Sequence, residues 1–144
     1  MLIREATGPD IPSLIRGTLD LYQYGPWAEK ARTSHAPTLA KLVMTRLQHD
    51  PDWALFIADD DPVVAGFIGV ELVTHPLHPW FPFIREWVLW VHPHYRKQKV
   101  AWKLMERSKE WGRQVGARGL LYSKPLTSTR PKRGPVEQMI WIEL

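Results

Sequence analysis

Residues 89–105 read LWVHPHYRKQKVAWKLM, and this stretch does most to decide the fold of the chain. It begins as an apolar strand that Pro93 ends, because proline has no amide to donate to a sheet. A turn follows in which three of the four residues 96–99 are Lys or Arg. Apolar side chains then recur at helical spacing from Val100 onward. The segment therefore predicts a strand, a tight basic turn and the start of an amphipathic helix.

The start of this helix is suited to binding an anion. The amides in the first turn of a helix have no intrahelical partner and carry a partial positive charge. Arg96, Lys97 and Lys99 surround them, and cations beside such amides favour a phosphate or pyrophosphate group. A solvated helix start is the simpler interpretation, but the succession of strand, turn and helix favours the phosphate site.

The remaining chain predicts an α+β fold in which helices pack on a mixed sheet, with the order β-α-α-β-β-β-α-β-(loop)-β. The predicted elements, in chain order, are a strand at 3–6, a helix opened by residues 9–12 with Asp10 as its N-cap, a helix that starts near 34–37 and stops before 50–52, strands at 53–58, 63–74 and 83–91, a helix at 97–115, and strands at 120–123 and 137–142.

Several segments are predicted to lie outside regular structure. Residues 75–82 contain three prolines and predict a loop, because proline interrupts both helices and sheet ladders. Residues 59–62 predict a turn, and the basic segment 124–135 predicts a second loop. Within the strand at 63–74, Gly66 and Gly69 indicate a bulge or a close approach of two backbones.

Length and composition exclude several classes of protein. A chain of 144 residues fits one domain, so residues 1–144 are predicted to form a single unit. The absence of cysteine excludes a disulfide scaffold, a thiol nucleophile and a cysteine-ligated metal. No run of eighteen apolar residues predicts a membrane span, and the charged residues in the first ten positions do not fit a secretory signal. The sequence predicts a cytoplasmic protein without a membrane partner.

Charge is distributed unevenly along the chain. Residues 1–72 hold six Lys or Arg against ten Asp or Glu, whereas residues 73–144 hold thirteen against five. A basic half indicates an anionic partner, which charge alone leaves open between nucleic acid and a phosphorylated small molecule. No known nucleic-acid motif accompanies the basic residues, so nucleic acid ranks lower.

The strand, turn and helix together resemble the signature of the GNAT acyltransferase superfamily. In that signature, a strand ending Leu-x-Val-x-Pro precedes Arg/Gln-x-x-Gly-x-Gly/Ala at a helix start. Leu89, Val91 and Pro93 match the strand, and Arg96 and Ala101 match the two ends of the six-residue loop. The opening residues of the chain and the order of its elements are also similar to the family's, so the resemblance covers nearly the whole chain.

The resemblance implies acetyl-CoA as a co-substrate. In the family, backbone amides of the loop hold the CoA pyrophosphate, and here the loop consists of Arg96, Lys97, Gln98, Lys99, Val100 and Ala101. The strand backbone at Leu89 and Val91 would pair with the pantetheine arm where two strands splay apart. An amine would enter from the other side and attack the thioester directly.

Two departures from the family's pattern stand out. Lys99 occupies the position of the central glycine, which allows close approach to phosphate or a strained backbone angle. The helix that usually lies between the last two strands is reduced or missing. That helix often supplies a tyrosine as general acid, and residues 124–135 contain none. Tyr122 lies earlier, on the strand, and is not assigned this role.

A general base must take a proton from the ammonium group of the substrate, directly or through water. Glu86 is the best candidate, because many family members keep an acidic residue on this strand. Arg85 would occupy the face that matches the family's acidic residue if the register differs by one residue. As a separate alternative, Glu86 would serve only to pair with Arg85 or with a neighbouring strand. His75 and His78 are alternatives, since histidine titrates near neutral pH.

Other polar and aromatic residues carry weaker signals. His75-x-x-His78 and His92-x-His94 lack further ligands at a suitable spacing, so no metal site is predicted. Three aromatic residues in proline-flanked segments would fit either the acceptor pocket or a contact between the two copies of a homodimer: Trp27, Trp80 and Phe81.

The sequence thus predicts an acetyl-CoA-dependent N-acetyltransferase acting on a primary amine, with the amine itself unidentified. The alternative is a catalytically inactive binding or assembly protein that keeps the fold, since small proteins of this kind with eroded motifs occur, including in phage genomes. Saturable acetyl-CoA binding that depends on Arg96 separates the two hypotheses.

Overall fold

The computed structural model describes residues 1–23, 36–125 and 137–144. The elements, in chain order, are β1 (Leu2–Glu5), α1 (Ile11–Gln23), α2 (Ala36–His49), β2 (Trp53–Asp60), β3 (Val63–His75), β4 (His78–Val91), α3 (Val100–Gln114), β5 (Gly119–Pro125) and β6 (Glu137–Glu143). Short 3₁₀ turns precede α1 and follow β4. The predicted α+β class and mixed sheet are confirmed, and the order of the described elements agrees with the prediction.

The six strands form one sheet in the order in which they occur along the chain, β1-β2-β3-β4-β5-β6. Every neighbouring pair is antiparallel except β4 and β5, which are parallel. A parallel pair needs a crossover connection, and α3 supplies it. The sheet is therefore an antiparallel meander of four strands joined to a two-stranded antiparallel ribbon.

Helices cover both faces of the sheet. Alternate residues of a strand point to opposite faces, so Phe56 packs beneath α3 while its neighbours Leu55 and Ile57 pack toward α1. The core beneath α3 includes Phe56, Ile68, Ile84, Val100, Leu104 and Leu120. The core toward α1 includes Leu14, Leu55, Ile57, Phe67 and Trp90. None of the described helices is long and apolar enough to cross a membrane.

The prediction of a loop at 75–82 is wrong. β3 extends to His75 and β4 begins at His78, so the two strands form a hairpin that turns at residues 76–77. The pairing passes from Val73–Phe83 to His75–His78 with an irregularity between them, so residues 79–82 fall outside the regular register. Prolines in that stretch cost little, because no regular ladder pair requires their amides.

The boundaries of β2 and α3 also differ from the prediction. Asp59 and Asp60 belong to β2, so the turn is confined to residues 61–62. The helix predicted at 97–115 begins three residues later, because 96–99 form a turn. The expected bulge or close approach is confirmed at both glycines of β3: the register shifts beside Gly69, where the extra residue lies on β4, and a Cβ at Gly66 would lie 2.7 Å from the Trp90 carbonyl oxygen.

Asp10 immediately precedes α1, but its carboxylate binds upstream residues. It accepts hydrogen bonds from the Arg4 guanidinium at 2.8 and 2.9 Å and from the Thr7 amide at 2.7 Å. Burial alone would raise the pKa of Asp10, but the hydrogen bonds from Arg4 and Thr7 outweigh it and leave the pKa below its ordinary value. The carboxylate thus joins β1 to the start of α1.

Candidate cofactor site

The parallel strands β4 and β5 pair over only a short length. Their register contains two residue pairs, Ile84–Leu120 and Arg85–Leu121. Beyond Arg85, β4 continues through residues 86–91 with β3 beside it, and no pairing with β5 extends along this stretch of the described chain. Pairing between the two strands therefore stops after Arg85, and we call the space between β4 and β5 beyond that point the slot.

A β-bulge lies at the closed end of this slot. Glu86 pairs with Val70 and Val88 pairs with Gly69, so Trp87 is an extra residue in β4. Two consecutive side chains then share a face of the sheet: Trp87 contacts the ring of Trp53, and Val88 packs in the same core cluster as Trp53. A bulge redirects the local backbone, and here it does so where β4 leaves β5.

The open end of the slot leads into the basic turn. β4 ends at Val91, a 3₁₀ turn covers Pro93–Tyr95, and α3 begins at Val100. The amide of Lys103 donates to the Lys99 carbonyl at 3.0 Å, so the amides of residues 100–102 precede the first helical hydrogen bond. The side chains of Arg96 to Lys99 are all exposed. Amides and cations thus converge at the mouth of the slot.

Lys99 has a left-handed backbone, with φ 57° and ψ 22°. It is the only non-glycine residue with positive φ in the described parts of the chain. A side chain in this conformation costs about 1–2 kcal/mol, a cost that glycine avoids. The resemblance places a glycine at this position, and the backbone of Lys99 has the conformation that glycine adopts most easily.

Glu86 is half-buried on β4, directly beside the bulge. Cross-strand partners share a face, so its pairing with Val70 places it on the α3 side of the sheet. Arg85 is exposed and its guanidinium donates to the Glu71 carboxylate at 2.9 Å across the strands. His75 and His78 lie at the hairpin turn, about 25 Å along the extended strand from Glu86. The geometry therefore groups Glu86, and neither histidine, with the slot.

The remaining residues singled out in the sequence fall elsewhere. Trp27 and residues 126–136, which include most of the predicted basic loop and the reduced last helix, lie outside the described residues. Trp80 is exposed near the hairpin turn, and Phe81 stacks on Trp141 of β6. Across the described part of the chain, no group of three or more His, Asp or Glu is placed to hold a metal ion.

Sequence reasoning missed three features of this region. The bulge at Trp87 left only an indirect signal, the glycine opposite it in β3. The contact of Tyr95 with Asp60 joins residues 35 positions apart, which no local pattern indicates. Trp141 lies over Gly119 on the neighbouring strand and reaches Phe81 and Phe83 on β4, a contact that depends on strand order.

The sequence profile of the acetyltransferase (GNAT) family matches residues 18–130, well over half of the chain. No curated protein matches the sequence.

Solved structures share the fold. A ribosomal-protein-alanine N-acetyltransferase from Brucella melitensis is 14% identical with a TM-score of 0.73, covering 100% of this chain and 99% of its own. An acetyltransferase from Vibrio fischeri is 21% identical with a TM-score of 0.63, covering 85% and 94%. A transcriptional regulator from Bacillus halodurans C-125 is 16% identical with a TM-score of 0.71, covering 88% and 82%.

Identities this low establish the fold alone, since one fold serves many functions. The profile match adds the family. With a mixed sheet that opens between β4 and β5 and a basic turn at the start of α3, the chain belongs to the acetyltransferase (GNAT) family.

Proposed function

We propose that residues 1–144 form one acyltransferase domain that transfers an acetyl group from acetyl-CoA to a primary amine. The observation that carries this proposal is that a slot with an open backbone edge ends at a cluster of amides and cations. Acetyl-CoA has a matching shape and charge: a thioester on a thin, hydrogen-bonding arm, followed by a pyrophosphate. The family of the chain is consistent with this reaction.

The pyrophosphate is assigned to the turn and the start of α3. Anions bind helix N-termini because the first amides are unpaired and the helix dipole favours negative charge. The proposed contacts are the amides of Arg96, Lys97, Gln98, Lys99, Val100 and Ala101, and the exposed basic side chains add charge. A phosphate among several cations also gains charge-assisted hydrogen bonds.

The pantetheine arm is assigned to the slot, where the backbone at Leu89 and Val91 would pair with its amides. The thioester then lies near the bulge at Trp87, beside Glu86. A backbone amide of β4 in this region would polarise the thioester carbonyl and stabilise the oxyanion that forms on attack. Most of the rate enhancement would come from this stabilisation and from holding the two reactants together.

The chemistry is a direct acyl transfer. The amine nitrogen attacks the carbonyl carbon, the carbon–sulfur bond breaks, and the nitrogen releases one proton to solvent while CoA leaves as a thiolate that takes one proton from solvent. The amine must first lose the proton of its ammonium form. Glu86 is the proposed general base, acting directly or through one water, because it is the half-buried carboxylate next to the bulge.

Acetyl-CoA binding measured by isothermal titration calorimetry tests the cofactor assignment. We expect saturable binding by the wild type and about tenfold weaker binding by Arg96→Ala, since one charge-assisted contact is lost. Arg113→Ala is the matched control, because it removes the same charge from an exposed position in the last turn of α3. Its affinity should stay within about twofold of wild type.

The outcomes separate the candidate functions. Absence of acetyl-CoA binding by the wild type would overturn the enzyme hypothesis. Binding with no acetylation across a broad panel of primary amines would instead favour a non-catalytic binding or assembly protein that keeps the cofactor site.

A further inference from the structure

The backbone of Tyr95 holds the basic turn together. Tyr95 closes the 3₁₀ turn after β4, and its amide donates to the His92 carbonyl at 2.8 Å. Its carbonyl accepts from the amide of Gln98 at 3.0 Å. Gln98 immediately precedes the left-handed Lys99. The peptide groups on either side of Tyr95 therefore set the path of the chain into α3.

The side chain of Tyr95 connects this turn to the sheet. Its ring packs against the core beneath α3, and its hydroxyl donates to the Asp60 carboxylate at 2.7 Å. Asp60 is the last residue of β2, two strands away from β4. This hydrogen bond raises the pKa of the Tyr95 phenol above its ordinary value, because Asp60 stabilises the protonated hydroxyl.

The other side-chain hydrogen bonds of the turn are local. The Arg96 guanidinium donates to the Val91 carbonyl at 3.4 Å, and the Gln98 side chain donates to the His94 carbonyl at 3.3 Å. Among the described residues, the hydrogen bond of the Tyr95 hydroxyl is the one that joins 93–99 to a residue more than five positions away. It is the long-range polar anchor of the turn.

An anchor matters here because the turn contains a strained residue. A left-handed non-glycine residue persists only where its surroundings hold it in place. Lys99 is exposed, so side-chain packing does not hold it. If Tyr95 loses its anchor, the hydrogen bond to Gln98 loosens and Lys99 gains the freedom to return to an ordinary backbone angle. The amides of residues 99–101 would then turn away from their common direction.

We propose that Tyr95 is a positioning residue for acetyl-CoA: its hydrogen bond to Asp60 fixes the direction of the amides that receive the pyrophosphate. The inference rests on the proposed function. Because Tyr95 acts at the phosphate end and acyl transfer takes place near Trp87, losing the hydroxyl affects cofactor affinity and leaves the chemical step intact.

Tyr95→Phe tests the proposal, since it removes the hydroxyl and keeps the ring. We expect about tenfold weaker acetyl-CoA binding, with KM for acetyl-CoA raised to match and kcat within twofold. The fold should persist, because Asp60 is 41% exposed and water can replace the lost partner. Thr18→Val is the control: it removes a hydroxyl that donates to the Leu14 carbonyl at 2.8 Å in α1, and should leave the affinity unchanged.

A double-mutant cycle tests the pairing itself. Asp60→Asn keeps an oxygen that accepts from the hydroxyl and should retain affinity within about threefold. Asp60→Ala should match Tyr95→Phe, and the double variant should be no weaker than either single one. Additive losses would overturn the pairing. The other oxygen of Asp60 lies 3.6 Å from the Met1 ammonium, and the cycle cancels that contribution.

Hydrogen–deuterium exchange on the unliganded protein gives a readout that does not need the cofactor. Tyr95→Phe should speed exchange of the Gln98 amide at least fivefold and leave the centre of α3 unchanged. Equal affinity and equal exchange in wild type and Tyr95→Phe would overturn the inference while the proposed function stands. If the wild type binds no acetyl-CoA, the proposed function and the positioning role fail together, and the exchange result still decides whether the hydroxyl holds the turn.

Discussion

The two ends of β4 are held in different ways. At its closed end, Ile84 and Arg85 pair with strands on both sides. Trp141 from β6 crosses Gly119, stacks on Phe81 and meets Phe83 edge-on. At its open end, residues 86–91 pair with β3 and face the slot on the other side. The change takes place at the bulge. Within the described residues, one strand can therefore pair on both sides along part of its length and with β3 alone along the rest.

Of the changes considered, disrupting the contact of Trp141 with Gly119 at the closed end of β4 should have the largest effect on stability. A Cβ at Gly119 would fall on the indole ring of Trp141, so Gly119→Ala must displace the ring from β4. We expect a loss of about 3 kcal/mol in the free energy of unfolding, measured by urea denaturation. The loss should nearly vanish when Gly119→Ala is made in a Trp141→Ala background. A loss that persists there would show that Trp141 does not cause it.

Changing the residue beside the bulge should affect catalysis and leave binding intact. Glu86→Gln removes the proposed base without altering the volume of the side chain, so kcat should fall about 100-fold, or about 2.7 kcal/mol. The reaction is followed as CoA release with an amine that the wild type accepts.

Arg85→Gln is the matched control for Glu86→Gln on the neighbouring position of β4. It breaks the exposed ion pair with Glu71, and kcat should change less than threefold. A large loss in Arg85→Gln together with a normal rate in Glu86→Gln would contradict the assignment of Glu86 as the base and move the reactive face of the strand by one residue. Arg85 could then hold the substrate but could not accept its proton, because a guanidinium stays protonated.

The smallest expected effect is on the free energy of unfolding when Lys99, the left-handed residue at the open end, is replaced. Lys99→Gly should raise the free energy of unfolding by about 0.5 kcal/mol, since the relief of a left-handed side chain exceeds the added entropy of glycine in the unfolded chain. Lys97→Gly is the control. Lys97 has an ordinary negative φ, so the same change should destabilise by a similar amount. A loss of stability in Lys99→Gly would contradict this explanation of the lysine.

Local patterns in the sequence predicted most strands of the sheet and both ends of α3 to within a few residues. Hydrophobic alternation and helical spacing are set by neighbours in sequence, and so is the basic turn at 96–99. The hairpin at 75–82 was not predictable in this way. Three prolines indicate a loop, and only the register of β3 with β4 shows that two of them lie where regular strand pairing is interrupted. Strand register, which no local signal encodes, decided that outcome.

In the candidate site, too, some features follow from local sequence and others depend on how distant strands pair. Its proposed phosphate end, Arg96 to Ala101, could be predicted from the sequence because the motif is contiguous. The bulge at Trp87 and the contact of Tyr95 with Asp60 arise from the way strands far apart in sequence meet. Lys99 was only partly predictable. The sequence showed that lysine replaces a glycine of the family's pattern, and the structure showed why glycine would suit the position, because the backbone of Lys99 is left-handed.

The packing of Gly112 determines how closely the C-terminal end of α3 approaches the sheet. A Cβ at Gly112 would lie 2.8 Å from Ile84 and 2.9 Å from Leu144, so the helix rests against the short seam between β4 and β5 at that residue. Val100 lies twelve residues away, a distance of about 18 Å along the helix axis. If the helix axis rotated by about 5° around the contact at Gly112, the first turn of α3 would move by about 1.6 Å, roughly half the length of a hydrogen bond. The alignment of the amides at the start of α3, where the phosphate site is proposed, therefore depends in part on the far end of the helix, where Gly112 meets the seam.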